Sequence, residues 1–243
     1  KELSGLIDLN FVDEQDGQIS LTLSDGTPLV LQSTVYTLET SINGNNKSFK
    51  DILVQDPAGN STNITSSITG GSIKGYVEMR DTEVEDLRDK LDRLAAGFVQ
   101  EFNNIHQQGF GIDGSTGNNF FSALTPTVVT NTNNTGSATL TATNGDPENI
   151  SVDKFEITFT GSNSFSLSNL TTGLNEGTFN FTAGSTFNLA NGFAVTISGT
   201  PAVGDKIKLS VSESAARNFS VASGVASNSD KIAAGLNSSA DGA

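Results

Sequence analysis

Residues 82–106 read TEVEDLRDKLDRLAAGFVQEFNNIH, and the fold assignment turns on this run. Val84, Leu87, Leu91, Leu94, Phe98, Phe102 and Ile105 recur every three or four residues. That spacing lines one side of an α-helix with 3.6 residues per turn. It predicts a helix from about Thr82 to His106, with these seven side chains as the structural core of its domain. Thr82 and Glu85 have the separation of a capping box, in which hydroxyl and carboxylate each reach the other's backbone N–H. Asp86 with Lys90 and Asp89 with Arg93 place acid four residues before base, which favours a helix. Gly109 and Gly111 end the run.

On the N-terminal side the period changes from 3.6 to 2. Ile19, Leu21 and Leu23 alternate, Asp25-Gly26 marks a turn, and Leu29 and Leu31 resume the alternation. This is the pattern of a β-hairpin. A three-residue loop of Ser24, Asp25 and Gly26, with the glycine left-handed, would pair Leu21 with Leu29 and Ile19 with Leu31. Residues 33–78 read as further short strands and turns, broken near Asn43-Gly44-Asn45-Asn46 and at 59–65.

Beyond the helix, Gly109 to Asn119 is a loop leading to Phe120-Phe121. From Ser122 to Ser212 only nine residues are charged, and apolar residues alternate in short runs: Phe155/Ile157/Phe159, Phe165/Leu167, Phe179/Phe181, Phe187/Leu189, Phe193/Val195/Ile197 and Ile207/Leu209/Val211. Turn residues separate the runs, as in a compact all-β sandwich or barrel. The strands are shorter than a membrane barrel needs. The tail from Glu213 to Ala243 is small and polar and is expected to run back along the first domain. The expected fold class is therefore α+β. A mixed inner domain of residues 1–121 with 213–243 holds the hairpin and the long amphipathic helix, and residues 122–212 form an inserted all-β outer domain.

Composition narrows function by exclusion. There are 13 Lys and Arg against 27 Asp and Glu, a formal charge of −14 over 243 residues, so nucleic acid and anionic membrane are poor partners. Cysteine is absent, which removes thiolate nucleophiles, disulfides and Cys-ligated metals. Apolar runs fall short of the roughly 18 residues a membrane helix needs, and no charged-then-apolar leader opens the sequence, so a soluble chain is expected. The single histidine, His106, lies among amides at the end of the helix, where its charge suits the helix dipole better than it suits a catalytic triad. The six acids of the β segment suggest no glycosidase pair. Gly111 to Asn119 carries oxygen ligands for calcium but lacks the closing Glu of an EF-hand, so it reads as a glycine-rich turn. No catalytic residue, metal site or cofactor is expected.

The residues around the helix resemble a known family. Gly70-Gly71-Ser72-Ile73-Lys74-Gly75-Tyr76-Val77-Glu78-Met79-Arg80-Asp81, then Leu91-Asp92-Arg93-Leu94-Ala95, Phe102-Asn103 and His106-Gln107-Gln108-Gly109, are similar to the FlgK family of flagellar hook-associated proteins. The likeness continues through Asp113-Gly114, Gly117 and Phe120-Phe121. Flanking pieces agree: Asp16-Gly17, Gly26 and Leu29-Val30 before it, Ile197-Ser198-Gly199, Pro201 and Gly204-Asp205 after it. Between Pro126 and Gly177 it is loose. The resemblance implies an inner mixed domain, outer β domains facing solvent, and terminal helical segments that pack in an axial core. This sequence contains neither terminal segment, so it is expected to be the central portion of such a protein. The implied role is mechanical: copies in an extracellular ring on the flagellum, contacting hook protein and neighbouring hook-associated or filament proteins, join hook to filament. The chain alone is expected to be monomeric. The alternative is a surface adhesin or carbohydrate-binding β module, which leaves the long helix without a purpose.

Overall fold

A computed structural model describes residues 2–13 and 17–236. Asp16 of the Asp16-Gly17 pair and the last seven residues of the tail lie outside the described residues. By packing, the chain divides into two compact units, Lys1–Leu87 and Arg88–Ala243.

In the first unit, α1 (Glu2–Leu6) precedes β1 (Asn10–Asp13), β2 (Ile19–Thr22), β3 (Pro28–Leu31) and β4 (Thr34–Val35), an antiparallel meander in that order. A second sheet follows, of β5 (Thr37–Ile42), β6 (Lys50–Gln55) and β7 (Ser61–Asn63). Ile7, Leu23, Leu29, Val54, Ile64 and Ile68 form the core.

The expected loop is present at the tip of the β2–β3 hairpin. Leu23 N–H bonds to the Thr27 carbonyl at 2.8 Å, and Gly26 is left-handed at φ +88°. The expected register is corrected. Leu21 pairs with Val30, and Thr22 with Pro28, so Leu29 is the extra residue of a β-bulge. Pro28 has no N–H for a regular ladder, and the bulge carries Leu29 into the core with Leu23 while Ile19 and Leu31 remain exposed. A strict period-2 reading does not anticipate an inserted residue.

The helix also starts earlier than expected. α2 (Gly71–Glu78) runs through a π-helical turn (Met79–Glu83) into α3 (Val84–Gln107). Thr82 therefore lies inside the helix and not at its start, and Glu85 pairs with Lys47. The start is fixed by close approach: Gly71 has φ +83°, and a Cβ there would lie 2.5 Å from the backbone of Leu6. In the π turn, Val84 N–H donates to the Met79 carbonyl, five residues back. The extra residue sets Met79 in line with Val84, the place Arg80 would occupy in an unbroken α-helix. Arg80 is free to pair with Asp81 and to lie 5.2 Å over the Phe49 ring.

In the second unit, two antiparallel sheets share one core. The larger has β12 (Asn175–Asn180), β11 (Ser164–Asn169), β10 (Phe155–Gly161), β15 (Lys206–Ser210) and β8 (Thr127–Thr130) in that spatial order. The smaller has β13 (Thr186–Asn188), β14 (Phe193–Ser198) and β9 (Thr139–Asn144). The alternating residues point inward: Phe155, Ile157 and Phe159, Phe165 and Leu167, Ile207 and Leu209 from one sheet, Phe193, Val195, Ile197 and Leu140 from the other. Two separate sheets make this a sandwich and not a barrel. α4 (Ser223–Ser227) lies in the tail. Ser122 N–H bonds to Ser220 O, Ala222 N–H to Phe120 O and Ala234 N–H to Phe110 O, so the tail runs back beside residues 110–122. The fold is α+β. Among the described residues, no helix is long and apolar enough to cross a membrane.

Candidate functional site

The seven stripe residues are not the core of this chain. Val84, Leu87, Leu91, Leu94, Phe98, Phe102 and Ile105 are 37% to 70% exposed, with Tyr76 and Met79 exposed in the preceding turns. That corrects the expectation drawn from their period. A 3.6-residue repeat identifies an apolar face, but it does not say whether the same chain covers it.

A different face of α3 is buried in the second unit. Asp92, Ala96, Val99, Asn103 and His106 are nearly inaccessible, and their spacing of four, three, four and three also follows the helix. This second line runs about 120° around the helix from the first. Its contacts are mostly hydrogen bonds. The Asp92 carboxylate accepts the N–H groups of Ser214 at 3.1 Å and Ala216 at 2.9 Å. The Asn103 amide both donates to the Phe121 carbonyl at 3.0 Å and accepts from its N–H at 2.9 Å. Gln100 donates to the carbonyls of Glu148 and Ile150. The sequence carries this signal as small and hydrogen-bonding residues at helical spacing, which apolar periodicity does not reveal.

Charge adds direction to the same seam. Lys154 bonds Asp89 at 2.6 Å and Glu213 at 2.9 Å, while Arg93 meets Asp153 at 3.1 Å. Burial alone would lower the Lys154 pKa, but its two carboxylate partners carry it above the ordinary lysine value. Asp89 and Arg93, expected as partners of each other along the helix, here reach residues of the sandwich. At the C-terminal end of the stripe, Phe98, Phe102, Phe120, Phe121 and Phe219 form a ring cluster, with Phe121 4.6 Å from Phe219 and 4.8 Å from Phe120. Phe121 is buried, while Phe98, Phe102 and Phe219 stand partly in solvent.

Nothing in this arrangement assembles a reacting centre. Both nitrogens of His106 are engaged by backbone groups, Nδ1 at 2.7 Å from the Asn118 carbonyl and Nε2 accepting from Ala233 N–H at 2.9 Å. Asp113, in the loop considered for calcium, has its carboxylate taken by the N–H and hydroxyl of its neighbour Ser115. Among the described residues, no group of three or more His, Asp or Glu is placed to hold a metal ion.

The outward apolar stripe and its long helix lie in the region that a family model matches. Residues 1–121 match the flagellar hook-associated protein FlgK helical domain. The chain belongs to the FlgK family of flagellar hook-associated proteins. FlgK-family likeness extends past the helix into the sandwich. Flagellar hook-associated protein 1 of Escherichia coli (strain K12) is 28% identical over 222 residues, 90% of this chain and 40% of that one. The Salmonella typhimurium protein of the same name is 28% identical over 162 residues, 66% of this chain and 29% of its own. The solved flagellar hook junction protein FlgK from Burkholderia pseudomallei superposes with a TM-score of 0.76 at 28% identity, over 96% of this chain and 42% of that one. The chain thus spans less than half the length of these FlgK relatives. Similarity that takes in both the helix and the β unit supports the flagellar reading over the adhesin one.

Proposed function

We propose that this chain is a non-catalytic structural part of the flagellar junction between hook and filament, acting outside the cell. The observation that carries the reading is the outward stripe from Val84 to Ile105 on a helix whose other buried line is already used. A helix fixed by directional bonds on one side and left apolar on another is suited to take further helices by ridge-into-groove packing. The terminal helical segments implied by the family resemblance are the natural occupants. The sandwich, with its acidic surface, would face solvent. In this reading subunits form a ring with copies of themselves and meet hook protein and neighbouring hook-associated or filament proteins. No step in that role needs a cofactor or a nucleophile.

The test is complementation of a flagellated strain whose own hook-associated protein 1 is deleted, using the complete protein that contains this segment. The parent protein is expected to restore filaments on hooks, counted by electron microscopy. The double substitution Leu91→Asp with Leu94→Asp is expected to lose them while leaving the melting of the isolated 243-residue chain nearly unchanged. Filaments restored to parental numbers by the double variant would remove the stripe from assembly.

A further inference from the structure

The sequence holds three Asn-Gly pairs, Asn43-Gly44, Asn144-Gly145 and Asn191-Gly192. In each, a backbone nitrogen next to a residue without a side chain follows an amide carbonyl, so the nitrogen can close on that carbonyl within one chain. Attack is favoured when the glycine N–H is free to lose its proton and a donor polarises the amide oxygen. The structure separates the three pairs on both counts.

In the sandwich neither condition is met. Gly145 N–H bonds to the Gly192 carbonyl at 2.9 Å, and Gly192 N–H to the Leu189 carbonyl at 3.1 Å. The Oδ1 atoms of Asn144 and Asn191 are buried and accept no hydrogen bond. Asn144 is further held by its Nδ2, which donates to the Leu124 carbonyl at 2.7 Å. A Cβ on Gly192 would lie 2.6 Å from the Ile150 backbone, so packing fixes that turn.

Asn43 presents the reverse arrangement. Its Oδ1 accepts the N–H of Asn45 at 2.9 Å, an Asx turn that polarises the carbonyl, and its Nδ2 donates to the Asp51 carboxylate at 3.0 Å. Gly44 is exposed, and its N–H has no acceptor among the described residues. Asn43 also closes a loop, with its N–H on the Phe49 carbonyl at 2.8 Å and its own carbonyl accepting from Ser48 at 3.1 Å. Within that loop Lys47 and Ser48 are both left-handed, at φ +48° and +64°. Strain of this kind persists only while the surroundings hold it. Here they do so through the π turn and the start of α3: Lys47 pairs with Glu85, Asn46 bonds Asp81, and Arg80 lies over Phe49.

We propose that Asn43-Gly44 is a spontaneous modification site whose conversion unfastens residues 43–49 from the π turn. The Gly44 nitrogen gives its proton to solvent and bonds to Asn43 Cγ, with the Asn45 N–H supporting the oxygen as it gains charge. The Cγ–Nδ2 bond then breaks, and ammonia leaves with a proton taken from solvent. Water opens the resulting cyclic imide at one carbonyl or the other, leaving aspartate or isoaspartate. Either product sets a new carboxylate against Asp51, which loses its Nδ2 donor and gains a like charge. Isoaspartate also adds a methylene to the backbone between the two ends of the loop's closing bonds.

Peptide mapping of the 243-residue chain tests this, after timed incubation of the folded protein in mildly alkaline buffer. Mass spectrometry with fragmentation that separates aspartate from isoaspartate reads each pair. Asn43 is expected to convert at least about 10-fold faster than Asn144 or Asn191, each of which keeps a bond on its glycine N–H. In urea, where sequence alone acts, the three rates are expected to converge. Asn144 or Asn191 keeping pace with Asn43 in the folded chain would overturn the proposal. The modified chain, separated by its added charge, gives a second reading that needs no variant to fold. Hydrogen-exchange protection of Ser48 and Phe49 is expected to be at least about 10-fold lower than in the unmodified chain, with Ile157 and Phe193 unchanged. Equal protection of Ser48 and Phe49 in the two forms would show that conversion leaves the loop fastened, and would overturn the release.

Discussion

The carboxylate of Asp92, in the middle of α3, accepts the backbone N–H of Ala216, 124 residues later, at 2.9 Å, and that of Ser214 at 3.1 Å. Ser214 has a positive φ of 61°, unusual for serine. One buried side chain thus fixes both the helix and the strained turn where the chain leaves the sandwich. Asp92→Ala would leave two N–H groups unpaired and is expected to cost about 3 to 6 kcal/mol, since bonds to charged acceptors are each worth about 1.5 to 3 kcal/mol. Urea unfolding measures it; a loss under about 0.5 kcal/mol would mean that water replaces the carboxylate.

Leu94 and Val99 sit on the same helix with opposite surroundings, one exposed and one buried. Leu94→Ser is expected to change the stability of the isolated chain by no more than about 0.5 kcal/mol. Val99→Ala is expected to cost about 1 to 3 kcal/mol through lost burial and a residual cavity. Reversal of that order in equilibrium unfolding would restore the stripe as a core of this chain.

Asp8 is held at a pKa of about 2, chiefly by the Thr69 hydroxyl at 2.6 Å, with Ser24 and the Gly70 N–H assisting and partial burial opposing. A depressed carboxylate contributes stability that is complete above its unfolded value of 3.8 and is lost as pH falls towards 2. The parent's advantage in melting temperature over Asp8→Asn is therefore expected to be constant near neutrality and to shrink between those two pH values. An advantage that persists unchanged at pH 2 would show that the contact does not depend on the charge.

Residues 122–212 are proposed to fold by themselves. The sandwich core draws its buried members only from Leu140 to Val211, and the family-model match ends at residue 121. Expressed alone, this segment is expected to melt cooperatively with a β-type circular dichroism spectrum, although it loses the partners of Lys154 and Asp153 on the helix. A disordered spectrum would move the boundary to include residues 88–121, which pack with the sandwich in the complete chain.

The parts of the fold that were legible in the sequence are those where one period acts alone. Phe155, Ile157 and Phe159 announce a strand because a sandwich interior demands every second residue, and all three are buried. The partner of Leu21 is not legible, because a bulge inserts a residue, Leu29, without leaving a pattern. The helix start is not legible at Thr82, because a π turn carries the helix back through that polar stretch to Gly71. The stripe was legible as a surface, since Leu91 and Leu94 do share a face. Its exposure was not, because whether a face is covered depends on Asp92, Asn103 and His106 finding backbone partners far along the chain.

The same stripe predicts how the isolated chain associates. Its net charge of −14 opposes close approach of two copies, and the screening length is about 10 Å at 0.1 M salt but about 3 Å at 1 M. At low salt and low concentration the chain is expected to be a monomer, because repulsion acts across the whole surface while the apolar line is one helix wide. A stable interface buries about 1,200 to 2,000 Å², more than a single helix face offers unless another apolar surface joins it. At high salt the repulsion is removed and the apolar contact is not weakened, so a weak, concentration-dependent dimer is expected. Leu94→Asp should abolish that dimer by placing a charge on the most exposed leucine of the line, and the parent at low salt should behave like the variant at high salt. Light scattering coupled to gel filtration decides it. Association that is strongest at low salt, or that survives Leu94→Asp, would assign self-contact to charged surfaces elsewhere and leave the helix face for a partner of another sequence.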